Sequence, residues 1–190
     1  MSFFANVDEF LNILAKCNNI EKYADIARSI NDFPLDKKIE CVDKEIKLLR
    51  FVVDETGEFF RLFVQKKRFA LKHVPDHLIT PELCHLAVNF NGYVIEFVPE
   101  GLKTPELCRL SVSKCGDSLY YVPEELKTEQ LCSLAVEKNG MALRYVPDHL
   151  ITPELCCAAV GYDGSMLYYV PDSLKTPELC RLAVDRYALA

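Results

Sequence analysis

The chain has 190 residues, half of them hydrophobic and 26% charged, a balance that excludes intrinsic disorder. No apolar run approaches the ~20 residues of a membrane span. The net charge of −6 falls on residues 71–190, where 16 acidic side chains meet 10 basic ones; residues 1–70 are balanced, and a general phosphate-backbone binder needs the opposite sign.

The first residues, Met1 to Glu9, show no basic segment followed by an apolar one, so no secretory leader is expected. Nine cysteines, an odd number, argue against a fully paired disulfide framework. They point to a cytoplasmic or otherwise reducing intracellular compartment. Residues 1–34 do not repeat. Phe3, Val7, Phe10, Leu11 and Leu14 fall on one helical face, and Tyr23, Ala24, Ile26, Ala27 and Ile30 on another, until Asp32-Phe33-Pro34 breaks the helix. This segment is expected to be a helical N-terminal cap.

Residues 35–73 hold worn copies of a repeat that becomes regular from residue 74. Thr56-Gly57-Glu58 aligns with Thr80-Pro81-Glu82, and Leu71 to Val74 aligns with Leu143 to Val146. A fainter copy shows in Leu49 to Val52. The stretches Ile39–Leu49 and Glu58–Lys67 are rich in helix formers and poor in strand residues.

Over residues 74–190 the repeat is regular. Val-Pro recurs at Val74, Val98, Val122, Val146 and Val170, always 24 residues apart. Residues 74–84 are identical to 146–156, as duplication of a 72-residue block would leave them. Repeat positions are counted from that valine as 1. Thr at position 7 is a helix N-cap residue, Pro follows where its missing N–H is harmless, and Glu then meets the positive end of the helix dipole. Leu-Cys-x-Leu-Ala-Val carries the helix, and the glycines at 92, 116, 140 and 164 are expected to end it as C-caps. A second, shorter helix should come after each glycine, and the Pro of the next Val-Pro can open one more turn.

In the first helix only positions 9, 12 and 16 stay polar or variable, one narrow stripe, as stacking between neighbouring repeats requires. The expected architecture is all-α, an α-solenoid of tandem 24-residue two-helix repeats with a helical cap, its stacked layers about 10 Å apart over about 50–60 Å. A leucine-rich repeat shares the period, and Leu131 to Asn139 mimics its strand. Thr-Pro-Glu caps a helix just before that strand, however, and no leucine stands two residues after the asparagine.

The string Val-Pro-x-x-Leu-Lys-Thr-Pro-Glu-Leu-Cys-x-x-Ala-Val-x-x-Asn-Gly-x-Ala-Leu-x-Tyr resembles an uncharacterised short helical-repeat family, a domain of unknown function that occurs in tandem in bacterial and some large-virus proteins. The resemblance covers about residues 50–190 and departs at Glu129-Gln130, which replaces Pro-Glu, and in the worn copies. It implies an α-helical array and supplies no catalytic residues.

Candidate chemistry is sparse. Cys84, Cys108, Cys132, Cys156 and Cys180 form a column at position 11. Layers about 10 Å apart exceed the ~7 Å reach of a disulfide, and a column does not converge on a metal. These cysteines read as core residues, whereas Cys115 and Cys157 leave the column and should be more exposed. His73 stands where other repeats have Phe or Tyr and reads as a packing residue. His77, His85 and His149 carry no accompanying motif, and no metal site or cofactor is expected. Acids recur at Asp76, Glu100, Glu124, Asp148 and Asp172, and again at Glu82, Glu106, Glu154 and Glu178. They either serve their own helix starts or stack into negative ridges for a basic partner.

The positions that vary among matching repeats are the more informative. On the first helix they are His85, Arg109, Ser133, Cys157 and Arg181, and Asn89, Ser113, Glu137, Gly161 and Asp185. The second-helix set includes Asp117, Ser165 and the six candidate partner-binding residues Tyr93, Glu96, Tyr120, Met141, Arg144 and Tyr168, a mix of Tyr, Met and Arg typical of interface cores. The expected function is a non-enzymatic protein–protein interaction module. The alternatives are a repeat protein that reads single-stranded nucleic acid one base per repeat, or an enzyme with an unrecognised site. At the C-terminal end, Leu179, Leu182, Ala183 and Val184 are expected to be covered by Tyr187 and Leu189 folding back, or by a second copy in a homodimer, with the monomer slightly favoured.

Overall fold

The computed structural model describes residues 6–17, 20–52, 57–67 and 69–187, which form two compact units, residues 1–78 and 79–190. The described residues hold helices and turns and no strand, which removes the leucine-rich alternative.

In the first unit, α1 (Val7–Ala15) starts where the Asn6 side chain accepts a 2.8 Å hydrogen bond from the Glu9 amide, and it buries Val7, Phe10 and Leu14. Phe10 meets Phe33 edge-on, with centroids 5.4 Å apart. Phe3 and Thr56 lie outside the described residues. Helix α2 (Ile20–Arg28) runs into the 3-10 helix Ser29–Asp32, and Pro34 then precedes α3 (Leu35–Lys44). The stretch Ile39–Leu49 is therefore two elements. Glu45 is extended after α3, and its carboxylate accepts from the Lys47 amide at 3.3 Å to open the 3-10 helix Ile46–Phe51. Helix α4 (Glu58–Lys66) begins after Gly57, whose φ of +70° suits a residue without Cβ. The 3-10 helices Ala70–His73 and Asp76–Leu78 complete the unit.

The second unit repeats one local design. Helices α5 (Pro81–Phe90), α6 (Pro105–Lys114), α7 (Glu129–Lys138), α8 (Pro153–Tyr162) and α9 (Pro177–Tyr187) each start at a threonine. The hydroxyls of Thr80, Thr104, Thr128, Thr152 and Thr176 accept from the amide three residues on at 3.2–3.3 Å. Glu129 replaces the proline of the other helices without loss of this cap. After each of α5 to α8 comes a six-residue 3-10 helix, Gly92–Phe97, Gly116–Tyr121, Gly140–Tyr145 and Gly164–Tyr169. The turn that the second proline opens is also a 3-10 helix, as at Glu100–Leu102. Each α-helix of this unit packs on the next, each six-residue 3-10 helix on the next, and each of α6 to α9 also on the six-residue 3-10 helix of the repeat before it.

The glycines do not end the α-helices. Extended residues at position 18 do so, and Asn91, Asn139 and Asp163 turn their side chains to accept from the amide two residues on. Among the described glycines only Gly57 has a positive φ. Gly92 is instead required by space, because a Cβ there would come within 2.5 Å of the Ser111 carbonyl oxygen of the next repeat.

Helices α5 to α8 bury positions 10, 11, 14 and 15, as in Leu131, Cys132, Ala135 and Val136 of α7. Position 13 is wider of the core than the pattern predicts: Leu86, Leu110 and Leu134 are half-buried and Ala158 is exposed. Val184 in α9 is 67% exposed, whereas its counterparts Val88, Val112, Val136 and Val160 are at most 3% exposed. The fold-back of Leu189 and of the Tyr187 side chain lies outside the described residues. No described helix is long and apolar enough to cross a membrane.

Candidate protein-interaction surface

A 3-10 helix has about three residues per turn, so side chains three apart lie one above the other. Positions 20 and 23 therefore share an edge in every repeat, while positions 19, 21 and 22 turn inward, as Gly92, Val94 and Ile95 do. The outward edge carries Tyr93 with Glu96, Asp117 with Tyr120, Met141 with Arg144, and Ser165 with Tyr168. All six candidate residues stand in this row. Tyr93, Glu96, Tyr120, Arg144 and Tyr168 are exposed and Met141 is half-buried.

Contacts along the row run from repeat to repeat. The Tyr93 hydroxyl donates to Asp117 Oδ2 at 3.3 Å. The other oxygen, Oδ1, is buried without a hydrogen bond and faces Arg144 Nη2 at 3.8 Å. The Arg144 guanidinium lies over the Tyr145 ring, 4.7 Å from its centroid, and Tyr145 meets Tyr120 at 5.1 Å. Tyr120 meets Tyr121 edge-on at 4.9 Å. Tyr93, Asp117, Arg144, Tyr145 and Tyr120 thus form one connected set over three repeats. Tyr168, 82% exposed, shares the row and packs edge-on against Tyr169 at 5.1 Å. Hydrogen bonding to Cys115, then burial and the Asp117 carboxylate, hold the Tyr93 phenol well above its ordinary pKa. Burial and the neighbouring Glu96 carboxylate raise that of Tyr121.

Position 24 was not among the expected contact residues, because an aromatic in every repeat reads as core. Phe97, Tyr121 and Tyr145 are only half-buried and Tyr169 is exposed, so this column borders the row. His73, expected to pack, is exposed; with Val42, Asp43, Phe63, Lys67, Phe69 and Ala70 it lines a hollow of 370 Å³ in the first unit.

A larger groove of 720 Å³ runs along α6 and α7 and contains none of the six candidates. Arg109, Ser133 and Glu137, all from the variable first-helix columns, line it together with Leu126, Leu131 and Leu134.

The cysteine column is buried at Cys84, Cys108, Cys132 and Cys156 and half-buried at Cys180, while Cys115 is half-buried and Cys157 exposed. Burial pushes the thiols of Cys84, Cys108 and Cys132 up to about 11. Among the described residues no three His, Cys, Asp or Glu side chains are placed to hold a metal ion.

Residues 80–127 and again 104–151 match the family model of a domain of unknown function, DUF4116. The two windows are displaced by 24 residues, one repeat. No curated protein and no solved structure matches the chain.

Proposed function

We propose that the second unit is a protein-binding module and that the row of 3-10 helix edges is its contact surface. The observation that carries this reading is the set Tyr93–Asp117–Arg144–Tyr145–Tyr120, whose cross-repeat contacts hold aromatic rings at the surface in fixed positions. Tyr120 remains 60% exposed despite these contacts, and Tyr168, 82% exposed and packed on Tyr169 of its own repeat, continues the row. Pre-ordered aromatic and arginine side chains lose little freedom on binding, which is why they anchor interfaces.

In this reading the chain performs no catalysis, and the α-helical core with its buried thiols is scaffold for the row. The test compares capture of partners from lysate by the unaltered protein and by a Tyr120→Ala, Arg144→Ala, Tyr168→Ala variant. Loss of specific partners with the variant is the expected result. Partners that persist unchanged place the binding surface elsewhere.

A further inference from the structure

The row has a chemical border that says what kind of protein segment fits it. Lys103 and Lys127, at position 6, are turned inward, their side chains 5% and 6% exposed. Each ammonium donates to the backbone carbonyl that ends a 3-10 helix, Lys103 to Tyr121 O at 2.9 Å and Lys127 to Tyr145 O at 3.2 Å. The same ammonium groups hold the carboxylates of Glu100 and Glu124, which remain 74% and 72% exposed. Glu100 and Glu124 are thereby tied, through these lysines, to the backbone carbonyls of Tyr121 and Tyr145, and the two ammonium groups are withdrawn from the surface, whereas Lys175, paired with Asp172, is partly exposed. Arg144, the cation on the row itself, is engaged by Asp117 and by the Tyr145 ring. The second unit thus offers to solvent both exposed carboxylates, at Glu100 and Glu124, and exposed tyrosine rings, at Tyr120 and Tyr168. Residues 79–190 as a whole hold 9 basic and 15 acidic side chains.

We infer that this surface binds a basic, arginine- or lysine-rich protein segment laid across consecutive repeats, its cations alternating between tyrosine faces and the carboxylates of Glu100, Glu124 and Asp148. The inference rests on the protein-binding role of the row and specifies the chemistry of the partner. Tyrosine faces attract cations through the ring quadrupole, and carboxylates accept the planar fork of arginine with two parallel hydrogen bonds. A polyanion is disfavoured at the same edge by the charge of these carboxylates.

The test titrates a fluorescein-labelled oligoarginine peptide, with an oligoglutamate peptide of equal length as control, into the full chain and reads anisotropy. Three double variants are compared: Tyr120→Ala/Tyr168→Ala, Glu124→Gln/Asp148→Asn, and Glu106→Gln/Glu178→Gln. The last removes the same charge from the exposed first turns of α6 and α9, which are not part of the row. All the altered side chains are exposed, and thermal melts check that each variant folds as the parent does. The first two variants are expected to weaken oligoarginine binding about tenfold, and the third to leave it within about twofold, since exposed charges at a distance are screened. Equal weakening by all three, or no binding of oligoarginine at all, overturns the inference. If lysate partners are still lost with the tyrosine and arginine variant while oligoarginine fails to bind, the protein-binding reading stands and the basic partner does not.

Discussion

Gly92 faces the Ser111 carbonyl of the next repeat so closely that a methyl group on it would sit 2.5 Å from the oxygen. The contact is backbone against backbone, and no side chain can rotate away to relieve it. Gly92→Ala is expected to lower stability by about 1–3 kcal/mol through overpacking. Gly101→Ala is the control, since nothing lies within 4 Å of its Cβ position and its φ is not positive. It should be neutral or stabilising by up to about 1 kcal/mol. Chemical denaturation midpoints of the two variants check the pair.

Lys127 tests the inward lysine. Lys127→Ala removes the donor to the Tyr145 carbonyl and empties the space its stem fills, for an expected loss of about 1–3 kcal/mol. Lys127→Ile should cost less, because Ile151 fills the same position one repeat later. Equal losses from the two substitutions, read from urea midpoints, contradict this account.

Ser111 and Ser118 form a buried polar pair found in one repeat only. Ser111 Oγ lies 2.7 Å from Ser118 Oγ and 2.9 Å from the Gly92 carbonyl, and Ser118 donates to the Cys115 carbonyl at 2.7 Å. The next repeat has Ala135 and Ala142 at these places, both fully buried. Ser118→Ala alone is expected to cost about 0.5–1.5 kcal/mol. Adding Ser111→Ala should recover most of it, as a double-mutant cycle will show.

The thiols give a pH prediction. With folded values near 11 against an ordinary 9.0, Cys84, Cys108 and Cys132 bind protons more tightly in the folded state. The stability they contribute is therefore complete below about pH 9 and is lost as pH rises toward 11. At pH 8, Ellman's reagent should react first with the exposed Cys157, whereas the four buried column cysteines should react only as the chain opens. Rapid reaction of Cys132 in the native protein contradicts the burial of the column.

Pooled single-stranded oligonucleotides test the competing nucleic-acid reading. No binding in the micromolar range is expected at low salt, because carboxylates border the tyrosine row. Micromolar binding lost with Tyr120→Ala/Tyr168→Ala supports base stacking on the row instead.

Much of the fold was legible because its determinants are local. Threonine, proline and glutamate mark each helix start within three residues, and the 24-residue period repeats the mark. The second helix was legible as an element but not as a 3-10 helix, since that choice depends on packing against neighbouring layers. The glycines at position 19 were misread for the same reason: a glycine after a helix has a local explanation, and the carbonyl that Gly92 must clear is 19 residues away. Of the candidate surface, Tyr93, Glu96, Tyr120, Met141, Arg144 and Tyr168 were legible as variable positions in a constant frame. The column Phe97, Tyr121, Tyr145 and Tyr169 was not, because an invariant aromatic looks the same in sequence whether its ring is covered or only half covered.

The lysine at position 6 has a consequence for how the array can diversify. Glu100, Glu124 and Asp172 each have a lysine ammonium in contact, but Asp148 has Ile151 where that lysine would stand. One lysine-to-isoleucine exchange thus changes the local electric potential at the edge of a repeat while the backbone path stays the same. Asp76, followed by Ile79, repeats the arrangement of Asp148, so the residue at position 6 decides repeat by repeat whether the edge shows a cationic ligand a lysine-paired carboxylate or one with no lysine beside it.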